Sequence, residues 1–304
     1  MSSNGSGQIE VPPHAFARRP PARPEYECEL RDEGEVGDVA RPLSWWENLL
    51  GRTMTRRLIV LIVLAIAWQV YATHLDNPLM FPPLSEVLAA WWEALRSGVL
   101  VGRVAVTIQV LLVGYALGIV LAAVLTTVSV ATRFGTDLLS TLTSMFNPLP
   151  AIALLPLALL WFGLGAESLV FVIVHSVLWA VALNAHGGFL EVSETQRAVG
   201  QNYGLRGIRF VMKILIPAAL PSILSGLKIG WAFAWRTLIA AELVFGVSSS
   251  SGGLGWFIFE ARQQLDTANV FAGLLTVILI GLLVESVIFR TIELRTVQRW
   301  GMQR

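Results

Sequence analysis

The chain has 304 residues, of which 55% are hydrophobic and 14% charged, and its formal net charge is +1. Soluble domains carry about 25% charged residues, so this composition points to a membrane protein. The near-neutral balance excludes a basic nucleic-acid-binding surface. The single cysteine, Cys28, excludes an internal disulfide framework, and the histidines at 14, 74, 175 and 186 lack metal-ligand spacing. No GxxxxGK[ST] stretch is present, so the chain has no phosphate-cradling loop of that kind.

Residues 1–56 hold Pro12, Pro13, Pro20, Pro21 and Pro24, then an acidic run from Glu25 to Asp38. Such a stretch has too few apolar residues for a core, and a largely disordered polar tail is expected. At its end, Pro42–Leu50 carries Trp45 and Trp46 in a short amphipathic pattern. That pattern fits an interfacial segment and equally an unstructured approach to the bilayer.

A helix needs about 20 mostly apolar residues to cross a bilayer. Residues 58–75, 104–132, 138–166, 168–190 and 267–284 contain no Asp, Glu, Lys or Arg, and 218–247 is interrupted only by Lys228, Arg236 and Glu242. The expectation is an all-helical membrane protein with six spans over 57–304. The second and third uncharged runs exceed the bilayer and should protrude or bend. With a cytoplasmic N-terminus, twelve Lys and Arg residues fall on the inner side, against Arg96, Arg103 and Arg262 outside. That bias places both termini in the cytoplasm.

Between spans one and two, Ser85 is expected to cap a helix over Glu86–Arg96, with Val87, Leu88, Trp91 and Leu95 on one face. In span three, Asn147-Pro148, Pro150 and Pro156 interrupt the backbone ladder. Lipid cannot repair that break, so it should face the translocation path, the alternative being a packing kink. Between spans four and five, residues 191–216 form the largest inner loop. It is helix-permissive from Val192 to Tyr203, interrupted at Gly204, and resumes until Pro217.

Span five places Lys228, Trp235 and Glu242 seven apart on one stripe, with Arg236 one residue off it. A charge at the bilayer centre costs on the order of 3 kcal/mol, so Arg236 requires a partner or water. Two readings stay open: a cation beside the path that offsets a passing anion, or an ion pair with Glu285 or with Glu242 of a second copy. His175, in span four, reads as a hydrogen-bonded interior residue.

At the inner loop, Gly204, Ile214 and Pro217 have the spacing of the cytoplasmic motif found in membrane subunits of ATP-binding-cassette importers. The motif's Glu-Ala-Ala positions are here Ala198, Val199 and Gly200. Pro148-Leu-Pro-Ala-Ile-Ala-Leu-Leu-Pro156, Leu160-Trp-Phe-Gly-Leu-Gly165, Ala240-Ala-Glu-Leu243 and Gly253-Leu-Gly255 resemble the nitrate/sulfonate/taurine/bicarbonate branch of that family. The resemblance runs from about residue 58 to 300.

It implies a type I importer permease fold in the inner membrane and no catalytic residue. ATP and magnesium would sit on partner subunits, leaving no cofactor in this chain. The implied partners are a second copy, two ATP-binding subunits, an extracytoplasmic substrate-binding protein and the bilayer. Cargo would be a small anion such as a sulfonate, taurine, nitrate, bicarbonate or organic acid. Residues 191–216 would plug into the ATPase, with Gly204 giving the turn, Pro217 ending the second helix and redirecting the chain, and Arg206, Arg209 and Lys213 beside them. The ordinary inner-side charge bias explains those cations equally well. Asn147, Pro148, Trp235, Arg236 and Glu242 are the candidates for the path. An ion-gradient-driven transporter or channel is the rival reading.

Overall fold

The computed structural model describes residues 53–245 and 252–298. The tail assigned to 1–56 lies outside them except for residues 53–56, and Pro42–Leu50 lies wholly outside. All secondary structure among the described residues is helical. The chain divides into two compact units, Met1–Val60 and Leu61–Arg304; of the first only the opening of the first helix is described.

That helix, α1 (Thr53–Leu75), begins inside the stretch assigned to the tail. It is followed by α2 (Leu84–Arg96), α3 (Val99–Ala131), α4 (Arg133–Phe146), a 3-10 turn at Ala151–Leu154 and α5 (Leu155–Phe162). Next come α6 (Ala166–Leu190), α7 (Glu194–Asn202), one helical turn at Gly207–Phe210, a π-helical turn at Val211–Leu215 and α8 (Ile216–Phe245). The chain closes with α9 (Leu254–Gln263), α10 (Thr267–Leu283) and a helical continuation to Gln298.

Five helical stretches are long and apolar enough to cross a membrane: Met54–Leu75, Val99–Ala131, Ala166–Leu190, Val211–Val244 and Thr267–Thr296. A sixth span exists if Arg133–Phe146 and Ala151–Phe162, bent 85° at their break, count as one. The second uncharged run does not bend; it lies within α3, which is 33 residues long. The third bends at the prolines. Leu149 N–H donates to Phe146 O at 3.1 Å and Ala153 N–H to Pro150 O at 2.9 Å, so the break keeps local hydrogen bonds where Pro148 and Pro150 have no donor.

Helix α6 is the hub. Half of its apolar window is buried, against 6% for α1. Lipid is as apolar as leucine, so helices in a membrane associate through close packing at small residues. A Cβ at Gly114 or Gly118 of α3 would lie 2.7 Å from Ile173 or Val177 of α6. About two turns beyond Val177, a Cβ at Gly226 of α8 would lie 2.8 Å from Asn184. Overpacking of this kind costs roughly 1–3 kcal/mol. Gly118→Leu should therefore lower the thermal midpoint of the detergent-purified protein, and Val177→Ala added to it should recover part of the loss.

Two local expectations are corrected. Ser85 does not cap α2: Pro83 holds the cap position without a side-chain bond, and Ser85 lies one residue inside the helix. Its N–H donates instead to Gln69 Oε1 of α1 at 3.1 Å, so the cap comes from a neighbouring helix. Leu88, grouped with the packing face, is exposed, and Ala94 is buried in its place.

Pro217 does not stop the second inner helix. The π-helical turn brings Ile216 N–H to Val211 O, and Pro217 falls in the first turn of α8, where a missing N–H is tolerated. Val211–Val244 is thus one continuous helical stretch.

Candidate translocation cavity and coupling segment

In the loop after α6, the Ser193 hydroxyl accepts Gln196 N–H and caps α7. Arg197 then reaches back. Its Nη2 donates to Phe189 O at 2.7 Å and its Nε to Val192 O at 3.2 Å, satisfying carbonyls beside the C-terminal end of α6. The turn follows at Gly204, with φ of 71°, and a second left-handed glycine stands at Gly207, with φ of 57°. That region suits glycine, since a side chain there is strained.

Gly200 makes the turn compact. A Cβ there would lie 2.7 Å from the Phe210 ring and 2.9 Å from Ile214 Cγ1, so α7 packs against the π-helical turn only without a side chain. Below it, Val192, Leu215 and Ala219 form a small core of their own. Ile214 and Pro217 line a shallow groove of about 280 Å3 with Val199 and Lys213. Arg206, Arg209, Lys213 and Tyr203 are exposed, and among the described residues none of the three cations makes an ion pair.

The break in span three borders a cavity of about 350 Å3 between that span, α6 and α8. Asn147, Pro148 and Arg236 line it; Trp235 and Glu242 do not. Arg236 is the one charged residue among the described residues that line it. Its guanidinium lies 5.3 Å from the centre of the Phe233 ring, and its Nε donates to Ala232 O at 3.0 Å. Among the described residues it has no carboxylate partner, because Glu285 pairs with Lys228 at 3.3 Å.

His175 and Trp179 of α6 complete the wall, and neither was assigned to the path. The expectation that His175 is hydrogen-bonded is corrected. Both of its ring nitrogens are buried with no partner in the protein, as is Trp179 Nε1. Packing among aromatic rings holds them there: Trp179 stacks on Phe146 at 5.5 Å, with its ring edge-on to His175 at 6.1 Å.

Trp235 is buried and faces a second cavity of about 440 Å3, which it shares with Lys228, Arg236 and Glu285. Glu242 is fully buried and sits in a knot of three helices. Thr107 of α3 lies 3.0 Å from each of its carboxyl oxygens, and Gly255 N–H of α9 donates to Oε2 at 2.8 Å. Leu254 N–H donates in turn to Thr107 Oγ1 at 2.7 Å. A Cβ at Gly253 would run into both the Glu242 carboxyl and the Thr107 hydroxyl. The Ala-Ala-Glu-Leu and Gly-Leu-Gly stretches are therefore two halves of one joint, which Arg103 extends by donating to Gly252 O at 2.9 Å and pairing with Glu260 at 3.0 Å.

Residues 114–293 match the family described as the binding-protein-dependent transport system inner membrane component, and the chain belongs to that family. It is a permease of the ATP-binding-cassette importer type. It is 30% identical over 272 residues to the taurine transport system permease protein of Escherichia coli (strain K12), covering 86% of this chain and 93% of that one. A second Escherichia coli protein, whose name places it in aliphatic sulfonates transport as a permease, is 30% identical over 206 residues, 68% of this chain and 77% of that one. The nitrate import permease protein of Synechocystis sp. is 30% identical over 173 residues, covering 57% of this chain and 58% of its own.

Proposed function

We propose that this permease carries a small anion of the sulfonate, taurine or nitrate kind across the inner membrane. The observation that carries the reading is the cavity at the broken third span, where Arg236 is the one charge among the described lining residues. A guanidinium in an apolar span is unfavourable without a counter-charge or water, and an anion in transit supplies the first. The names of the relatives, taurine, aliphatic sulfonates and nitrate, agree in charge with that site.

Two copies pair around the path and two ATP-binding subunits energise it. A substrate-binding protein delivers the anion from outside, and both termini and residues 191–216 lie in the cytoplasm. The chain itself carries no catalytic residue. ATP binding draws the ATPase subunits together, and the segment around Gly204 transmits the movement because ATP and anion each bind one state of the assembly better than the other.

Tyr203 offers a direct test, being 82% exposed beside the turn. Tyr203→Cys should cross-link to the co-expressed ATPase subunit in inside-out vesicles, and ATP should change the yield. Labelling of that cysteine from the periplasmic side alone would refute the topology.

A further inference from the structure

We propose that the second cavity beside α8 binds a small zwitterion, an acid that also carries an ammonium group, with Arg236 holding the acid and Glu285 the ammonium. The inference rests on the anion-permease reading and goes further. Arg236 at the broken span asks only for negative charge, whereas this cavity asks for a positive pole as well. Its volume of about 440 Å3 falls within the roughly 300–1,000 Å3 range of small-molecule sites. Lys228 and Arg236 of α8 face Glu285 of the closing helix across it.

Depth and exposure set this trio apart. Lys228 lies at the middle of the Val211–Val244 stretch, and Glu285 is close to the middle of Thr267–Thr296. Charges at that depth pair with one another or face a water-filled path, and they mark substrate routes. Lys228 Nζ lies 3.3 Å from Glu285 Oε1, yet the two side chains are 45% and 64% exposed, so both are within reach of a solute. Among the described residues no other cation pairs with Glu285. One contact leaves most of the carboxylate's acceptor sites open.

The spacing of the poles suits a short molecule. Arg236 stands eight residues beyond Lys228, but its Nε donates to Ala232 O, so the side chain folds back by one turn. Four residues then separate its level from that of Lys228, about 6 Å along the axis. Ala232 and Gly281, both small, line the cavity there and leave room for a ligand. An acid and an ammonium joined by a short carbon chain span such a gap. Trp231 and Phe289, with ring centres 6.4 Å apart at 63°, form an aromatic corner on the same cavity. Aromatic faces attract an ammonium group. A plain anion would meet Glu285 unmatched, and a plain cation would meet two positive groups. A zwitterion answers each sign with its opposite.

The test is calorimetric titration of the permease–ATPase complex, without binding protein, in phosphatidylglycerol nanodiscs. The probes are taurine and its two halves, ethanesulfonate without the amine and ethylammonium without the acid. Taurine should bind saturably and at least tenfold tighter than either half, a difference of about 1.4 kcal/mol or more. Glu285→Gln should bring taurine down to the affinity of ethanesulfonate, while ethanesulfonate binds no more weakly than before. A merely structural ion pair would lower the thermal midpoint and leave the ratio of the two affinities as in wild type, and that ratio would overturn the site. If Glu285→Gln fails to assemble, adding Lys228→Gln removes both members of the pair at once, and this double variant should lose the preference for taurine. A double variant that keeps the preference would overturn the site. So would wild type that binds taurine no tighter than ethanesulfonate, or not saturably. Taurine binding abolished by adding phosphatidylethanolamine would assign the cavity to a lipid headgroup and overturn it too. Wild type that imports anions on ATP yet shows no taurine preference here would sink this site and leave the transport reading standing. Absence of ATP-driven import of any anion would sink the transport reading itself.

Discussion

Glu242→Ala should be among the most damaging single substitutions in the transmembrane body. It strips the acceptor from Gly255 N–H and from the Thr107 hydroxyl, both inside a joint of three helices. Two buried donors without partners, each costing roughly 1–3 kcal/mol, imply a loss of about 3 kcal/mol or more. Glu242→Gln retains an acceptor oxygen and should lose much less. Gly253→Ala should resemble Glu242→Ala, because the added methyl group meets the same carboxyl. Thermal unfolding of the purified variants in detergent measures all three, and a Glu242→Ala midpoint equal to wild type would remove the joint as a stabilising element.

Gly200→Leu should have an equally large effect by another route. The side chain would be driven into Phe210 and Ile214, prising α7 from the π-helical turn and tilting the surface offered to the ATPase. Transport by the reconstituted complex should fall at least tenfold while the transmembrane body keeps its thermal midpoint. Gly204→Val should do less, since only a left-handed backbone costing roughly 1–2 kcal/mol is at stake. Uptake unchanged in Gly200→Leu would mean that α7 does not transmit the movement.

Much of this was legible in the sequence, because charges and prolines are long-range signals in a membrane protein. Gaps between charged residues gave the middles of the apolar helices, although one begins at Val211 rather than 218 and the last runs on to Thr296 rather than 284, and the Asn147–Pro150 cluster marked the bent pair. Elements that depend on a neighbour were not legible. The cap of α2 comes from Gln69, sixteen residues before Ser85, and nothing local in Ser85-Glu-Val announces it. Pro217 was misjudged because a π-helical turn, which no residue pattern specifies, absorbs the missing donor.

The candidate site divides along the same line. Arg236 stood out as a guanidinium in an apolar span, and Asn147-Pro148 as a broken ladder; the structure puts them on one cavity. Lys228 takes Glu285, an exchange that seven-residue spacing along one helix does not reveal. Glu242 stood as a candidate for the path or for an ion pair with Arg236 of a second copy, yet its partners are a threonine 135 positions away and a backbone N–H. His175 was read as a hydrogen-bonded interior residue and Trp179 was not singled out, because an aromatic residue in a span is ordinarily packing. Gly200 carried a signal, a glycine where the related motif has alanine, and its meaning appears only with Phe210 against it.

The measurement that bears most directly on the central claim is uptake by proteoliposomes holding the permease with its ATPase, with the binding protein outside and ATP inside. Radiolabelled taurine, methanesulfonate and nitrate are the probes, with methylammonium as the cation control. At least one of the anions should accumulate against its gradient, only with both ATP and the binding protein present, and methylammonium should not. Anion uptake driven by an ion gradient without ATP, or accumulation of methylammonium in place of all three anions, would contradict the account.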